Sequence, residues 1–281
     1  MRQFQAIVGG AGAAFAFLAL AACQAAAGSG TPAASGNAEP VDGPGTGIAW
    51  SFTMASPTHD ESPRDTLAVQ YPVVSYARPT PGDASLTTTV NTKLKNVDEA
   101  FVTQFRSQFL NPTPVTVDGR AIPSQLQVTA SASQVGELLS VRYDAFLDRS
   151  GSAGGFSEEQ DLTIRMDTGA TLGPADLLSP GALQSPGALA ALIAPQLGGD
   201  YIFGGGSAAD AVSGALSTIA VPVDGLTDPV VGVLPSGLDF TFQQGALTPM
   251  SNGTPNAVVP FGKLDGLVNP DIVTLAEADP K

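Results

Sequence analysis

DASLTTTVNTKLKNVDEAFVTQFRSQFL (83–110) decides the fold. Leu86, Val90, Leu94, Val97, Phe101, Phe105 and Phe109 recur every three or four residues. At 3.6 residues per turn these side chains share one face, so the stretch predicts a long amphipathic helix with its apolar stripe against a core. Asp83, after Pro81-Gly82, is placed to cap its start, and Asn111-Pro112 to end it.

On both sides of that helix the period changes. GIAWSFTMAS (47–56) alternates Ile48, Trp50, Phe52 and Met54 on one side, as a half-buried strand does. THDESPRD (58–65) reads as a polar loop, and DTLAVQYPVVSYA (65–77) as a second strand with Pro72 at an edge or bulge. Downstream, SQLQVTASASQ (124–134) and ELLSVRYDAFLDR (137–149) flank Val135-Gly136 as a hairpin. EEQDLTIRMDTG (158–169) reads as a further strand ending in an Asp167-Thr168-Gly169 turn. SPGAL at 179–183 and 185–189 reads as helix-start punctuation, with proline at the first helical position. Short helices are expected in 187–197 and 208–220. DPVVGVL and LDFTFQQ form a hairpin about Pro235-Ser236-Gly237, and NAVVPFGKLDGLV reads as a strand and then a short helix. Strands, one long helix, strands, short helices and strands together predict an α+β fold with a mainly antiparallel sheet.

The N-terminus predicts export. Arg2 is followed by an apolar run from Ala6 to Ala22, and the run closes on Leu20-Ala21-Ala22-Cys23. A basic start, a short apolar middle and small residues before the cut are the parts of a secretory signal. The run is too short and glycine-rich for a spanning helix, which needs roughly 20 strongly apolar residues. Leu-Ala-Ala-Cys is similar to the bacterial lipoprotein cleavage box. The thiol is the nucleophile that accepts a diacylglyceryl group, and small residues admit the peptidase. Cys23 is the single cysteine, so it has no disulfide partner within the chain. The expectation is a signal peptide at 1–22, acylation of Cys23, and residence on the extracytoplasmic face of a cell membrane. Residues 23–47 hold almost no bulky apolar side chain and read as a flexible tether of roughly 25–30 Å. Residues 48–276 read as the α+β domain, with a division into lobes at about 48–115 and 116–276 as one arrangement.

Loss of the first 22 of 281 residues leaves 259, with all 26 acids and 11 of the 12 bases, a net charge of −15. Such a chain repels nucleic acid and anionic head groups, and attracts cations within a Debye length. Low aromatic content with abundant alanine and glycine reads as the proteome of a GC-rich bacterium, an actinobacterium.

The inventory for catalysis is thin. His59 is the single histidine, which with an acylated cysteine leaves no zinc site of the usual His/Cys kind. Neither a GxSxG elbow nor a Ser-x-x-Lys pattern occurs. Gly204-Gly205-Gly206 is not followed by the lysine of a phosphate loop, and no basic-aromatic patch for nucleic acid appears. Asp98-Glu99, Glu158-Glu159 with Asp161, and Asp60-Glu61 are acidic clusters whose neighbours are expected to face apart into solvent. No catalytic residue, cofactor or metal ligand is assigned.

The second half resembles the RsiV-type extracytoplasmic domain, a family shared with secreted mycobacterial immunogenic proteins. The resemblance rests on Val141-Arg142-Tyr143, Gly154-Gly155, the strand from Leu162 to Asp167-Thr168-Gly169, and Leu172 to Asp176-Leu177-Leu178. It continues through Gly237-Leu238-Asp239-Phe240-Thr241-Phe242, Pro249 to Gly253, and Val258-Val259-Pro260-Phe261, with Gln70-Tyr71-Pro72-Val73 ahead of the long helix. The family's Gly-Gly-Ala-His loop is replaced here by Phe156-Ser157 after Gly155. The resemblance implies a non-catalytic binding domain for an envelope or extracellular macromolecule, a cationic lysozyme-like protein among them. It does not imply an anti-sigma role, which needs a sigma-binding segment and a spanning helix. A weak esterase and a structural surface antigen are the alternative readings.

Overall fold

The computed structural model describes residues 50–62, 65–76, 83–109, 115–150, 154–197, 207–219, 229–247 and 253–278. Cys23, the stretches 1–22 and 23–47, Ile48, Asn111-Pro112 and Gly204 to Gly206 lie outside them. In chain order the first elements are β1 (Trp50–Ala55), β2 (Thr58–Ser62), β3 (Asp65–Ala68), β4 (Tyr71–Tyr76) and α1 (Asp83–Gln104). Next come β5 (Thr116–Val117), β6 (Arg120–Ala121), β7 (Gln125–Val135), β8 (Leu138–Asp148), β9 (Phe156–Arg165) and β10 (Ala170–Leu172). Short helices follow: α2 (Pro174–Leu177), α3 (Pro180–Gln184), α4 (Gly187–Ile193) and α5 (Ala208–Leu216). The chain closes with β11 (Val230–Leu234), β12 (Gly237–Thr241), β13 (Asn256–Pro260) and α6 (Pro270–Glu277). The α+β class, the long helix and the accessory helices are as the sequence predicts.

The frame is a six-stranded sheet in the order β10-β9-β8-β7-β3-β2. Its β3–β7 pairing is parallel, Thr66 beside Gln125, and its other pairings are antiparallel. At its centre β7 and β8 pair from Gln125↔Asp148 to Val135↔Leu138, joined by Gly136 and Glu137. Gly136 has φ +59°, a conformation that glycine adopts without steric cost. The side-chain period of two sends alternate residues of β8 to opposite faces.

One face packs on α1. Leu139, Val141, Tyr143, Ala145 and Leu147 of β8 share a core with Val90, Leu94, Phe101 and Phe105 of the helical stripe. Tyr143 Oη donates 3.1 Å to the Leu94 carbonyl and ties strand to helix. The stripe ends in a π-helical turn, Phe105–Phe109, with the two phenylalanine rings stacked 6.3 Å apart.

The other face carries the second core. Leu138 and Val135, at the hairpin end, join Leu177, Leu189, Ile193, Leu216, Val233, Leu238, Phe240, Val259 and Ile272. Here the partner is the three-stranded sheet β11-β12-β13 with the short helices. Ser179 caps α3 by accepting from the Ala182 amide, and Asn269 caps α6 by accepting from the Asp271 amide. In each, proline at the first helical position needs no amide partner.

Two expectations are overturned. Residues 58–62 are no polar loop: they form β2, which pairs antiparallel with β3, Thr58 beside Ala68 and Ser62 beside Asp65. Nor are residues 65–77 one strand. β3 pairs with β7 in the large sheet, whereas β4 pairs with β1, Trp50 opposite Tyr76. Val69, buried between them, is the point where the chain leaves one sheet for the other. Pro72 sits on β4 in that two-stranded sheet, where a missing amide is tolerated. The far edge of β4 is closed by a side chain. Asn91 of α1 accepts 2.7 Å from the Val74 amide and donates 2.9 Å to the Val74 carbonyl, as a neighbouring strand would.

Candidate functional site

The outward row of β8 is Leu138, Ser140, Arg142, Asp144 and Phe146, and its cross-strand row on β9 is Arg165, Thr163, Asp161, Glu159 and Ser157. The three-stranded sheet covers only part of these rows. Gly232 of β11 lies so close above Asp161 that an added Cβ would stand 2.8 Å from its Oδ2, and the Val233 amide donates 3.2 Å to Ser140 Oγ. Beyond Arg142 the cover ends, and Asp144 and Phe146 are exposed.

At that border lies a cluster of charge. Arg142 Nε donates 3.3 Å to Asp161 Oδ1, and its Nη2 donates to Asp239 Oδ2 and, at 2.9 Å, to Thr241 Oγ1. Glu159 Oε2 lies 3.6 Å from Arg142 Nε, and Glu159 Oε1 accepts from Thr254 Oγ1. Burial pushes the Asp161 carboxyl up to about 6, with Asp239 and Glu159 adding to the rise while Arg142 opposes it. Glu159 and Asp239 are also raised, chiefly by burial, against the pull of Arg142. Burial works against the Arg142 charge too, but the surrounding carboxylates prevail and hold it protonated.

The expectation that these acids solvate is therefore overturned. Glu158 and Glu159 do face apart, as strand neighbours must, but each face is covered. Glu158 turns to the helix side and accepts 2.8 Å from Gln104 Nε2, while Glu159 and Asp161 turn into the seam. Asp98 is likewise buried on α1, whereas Glu99 is exposed and pairs with Lys95.

Next to the cluster is an open cleft of about 290 Å³ between β7–β9 and Thr254. Gln127 and Thr129 of β7, Asp144 and Phe146 of β8, and Ser157 and Glu159 of β9 line it. Phe146 is 41% exposed, and Gly155 backs its ring so tightly that an added Cβ would fall 2.1 Å from Cζ. Asp144 stands directly opposite Glu159. Two carboxylates facing each other across strands repel, and that repulsion contributes to the rise at Glu159. Burial also raises Asp144, offset by Arg142. The β9 edge beside the cleft is closed by amide side chains. Gln243 donates 2.6 Å to the Glu159 carbonyl and accepts from its amide, and Gln244 Oε1 accepts 2.6 Å from the Ser157 amide. A second depression, about 210 Å³, shares Gln127 and Thr129 and continues across β7 to Leu67 and Gln70.

Two carboxylates, an aromatic face and uncharged polar neighbours form a place for a cation: the carboxylates attract it and the ring presents its negative face. Among the described residues no three histidine, cysteine or acidic side chains are grouped as metal ligands, and no helix is long and apolar enough to cross a membrane. His59 lies on β2. Of the residues carrying the family resemblance, Arg142 and Asp239 meet in the cluster, and Gly155 backs the cleft.

No family model matches the chain, and no curated protein matches it. Among solved structures, it is similar to a DUF3298 family protein from Pseudomonas aeruginosa PAO1, with 15% identity and a TM-score of 0.47 over 81% of this chain and 97% of that one. It is also similar to a DUF3298 family member from Bacteroides fragilis NCTC 9343, with 12% identity and a TM-score of 0.47 over 82% of this chain and 99% of the other.

Proposed function

We propose that this chain is a lipid-anchored, extracytoplasmic binding protein of RsiV-type resemblance that holds a cationic macromolecule in the cleft beside Phe146. The observation that carries the reading is the pair Asp144 and Glu159, set opposite each other next to an exposed aromatic ring. A lysine or arginine side chain entering there gains from both carboxylates and from the ring face, which is worth about 0.5–1 kcal/mol at an exposed site. The net charge of −15 left after loss of the first 22 residues draws such partners from a distance. Acylated Cys23 and the 23–47 stretch supply the anchor and the reach.

The test is calorimetric titration of the full chain with egg-white lysozyme and, separately, with poly-lysine. Binding is expected at low ionic strength, with a steep loss as salt is raised. Replacing Asp144 by Asn together with Phe146 by Ala is expected to weaken it about 10-fold or more. Equal binding by the double variant sinks this site, and absence of binding to both probes sinks the cationic partner.

A further inference from the structure

The seam between the two sheets carries more acid than base. Arg142 on β8 faces Glu159 and Asp161 on β9 and Asp239 on β12, with Asp144 next along β8. Ionised throughout, one guanidinium stands against three carboxylates in contact with it, an excess of two negative charges. Among the described residues nothing else packed on the cluster supplies a positive charge: β11 contributes Gly232, and Thr241 and Thr254 contribute hydroxyls. The Asp161 and Asp239 side chains are each only 2% exposed, so water does little to relieve the excess. Asp239 Oδ1 is buried and takes no hydrogen bond, which makes it a ready position for a proton.

We propose that this seam is a proton-linked latch: a proton shared among Asp161, Asp239 and Glu159 holds the three-stranded sheet more firmly on the long sheet in mildly acidic surroundings than in neutral ones. The proton belongs to the group, because carboxylates this close titrate together. The direction follows from the folded chain holding, up to about pH 6 at Asp161, a proton that an unfolded aspartate releases near pH ~4. Between those values the folded state binds more protons. The stability it confers is fully present below the lower value and is lost as pH rises through the upper one. The excess charge would then loosen the seam without touching the core under α1, because the cluster lies on the opposite face of β8.

Urea unfolding of the full chain at steps from pH 4.5 to 7.5 reads the linkage. Across that range the folding constant of the unaltered chain is expected to fall about 10- to 30-fold more than that of Asp161→Asn. Slopes for Asp161→Asn and Asp239→Asn that both equal that of the unaltered chain overturn the latch. Should neither variant fold, carboxyl-carbon NMR of the unaltered chain decides. A titration midpoint above about pH 5 at Asp161 or Asp239 supports the latch, and lower midpoints at both overturn it.

Discussion

The two faces of β8 meet opposite solutions to the same problem. Toward α1, five residues of the strand enter an apolar core built on one continuous helical stripe, with Phe101, Phe105 and Tyr143 fully buried. Toward the three-stranded sheet, the cover is assembled from short helices and short strands, apolar at the Leu138 end and charged at Arg142. The first face gains chiefly by area removed from water, with Asp98 and Glu158 as its buried acids. The second gives up part of that gain to hold a cluster of acids beside an open cleft. The contrast places a continuous apolar stripe on one side of the sheet and a cluster of acids sharing one guanidinium on the other.

The largest test of that contrast lies on the helix side. Phe101→Ala, at a position with no exposure, is expected to cost about 4 kcal/mol in denaturant unfolding, with no dependence on pH. Arg142→Met should cost about 3 kcal/mol near neutrality, because it leaves three carboxylates without their cation. Much of that loss should return on acidification, and a pH-independent loss would break the comparison. Gly136→Ala should cost about 2 kcal/mol, since a Cβ there falls 2.1 Å from the Leu275 carbonyl and the backbone sits at φ +59°. Hydrogen exchange would show that loss first in α6, whose Leu275 carbonyl accepts from the Glu137 amide. Asn91→Ala should be smallest, about 1–2 kcal/mol, opening two hydrogen bonds to β4 and loosening the two-stranded sheet before the main one.

What was legible in advance follows the range of the interactions. The stripe from Leu86 to Phe109 announces α1 because its partners on the helix are three and four residues away. The β7–β8 and β11–β12 hairpins are likewise local, each closing across a turn that contains or abuts a glycine at positive φ, Gly136 and Gly237. The split of residues 65–76 between two sheets was not legible, because the parallel partner of β3 lies across the whole of α1. Nor was the cluster. Glu159 and Asp161 alternate along β9 as solvated acids do, and the contact that changes their meaning comes from Asp239, 97 residues beyond Arg142. Phe146 as a cleft residue carried no signal, since its exposure depends on where the cover stops.

By itself, then, the sequence determined the long helix, the hairpins and the helix start at the first SPGAL. Each of these depends on neighbours within a few residues. The tertiary structure alone decided which acids are buried, which one faces a second carboxylate, and which aromatic ring stays open. A charge is set by its solvent and its nearest counter-charge, and in a sheet covered on both faces these come from strands far away in the chain.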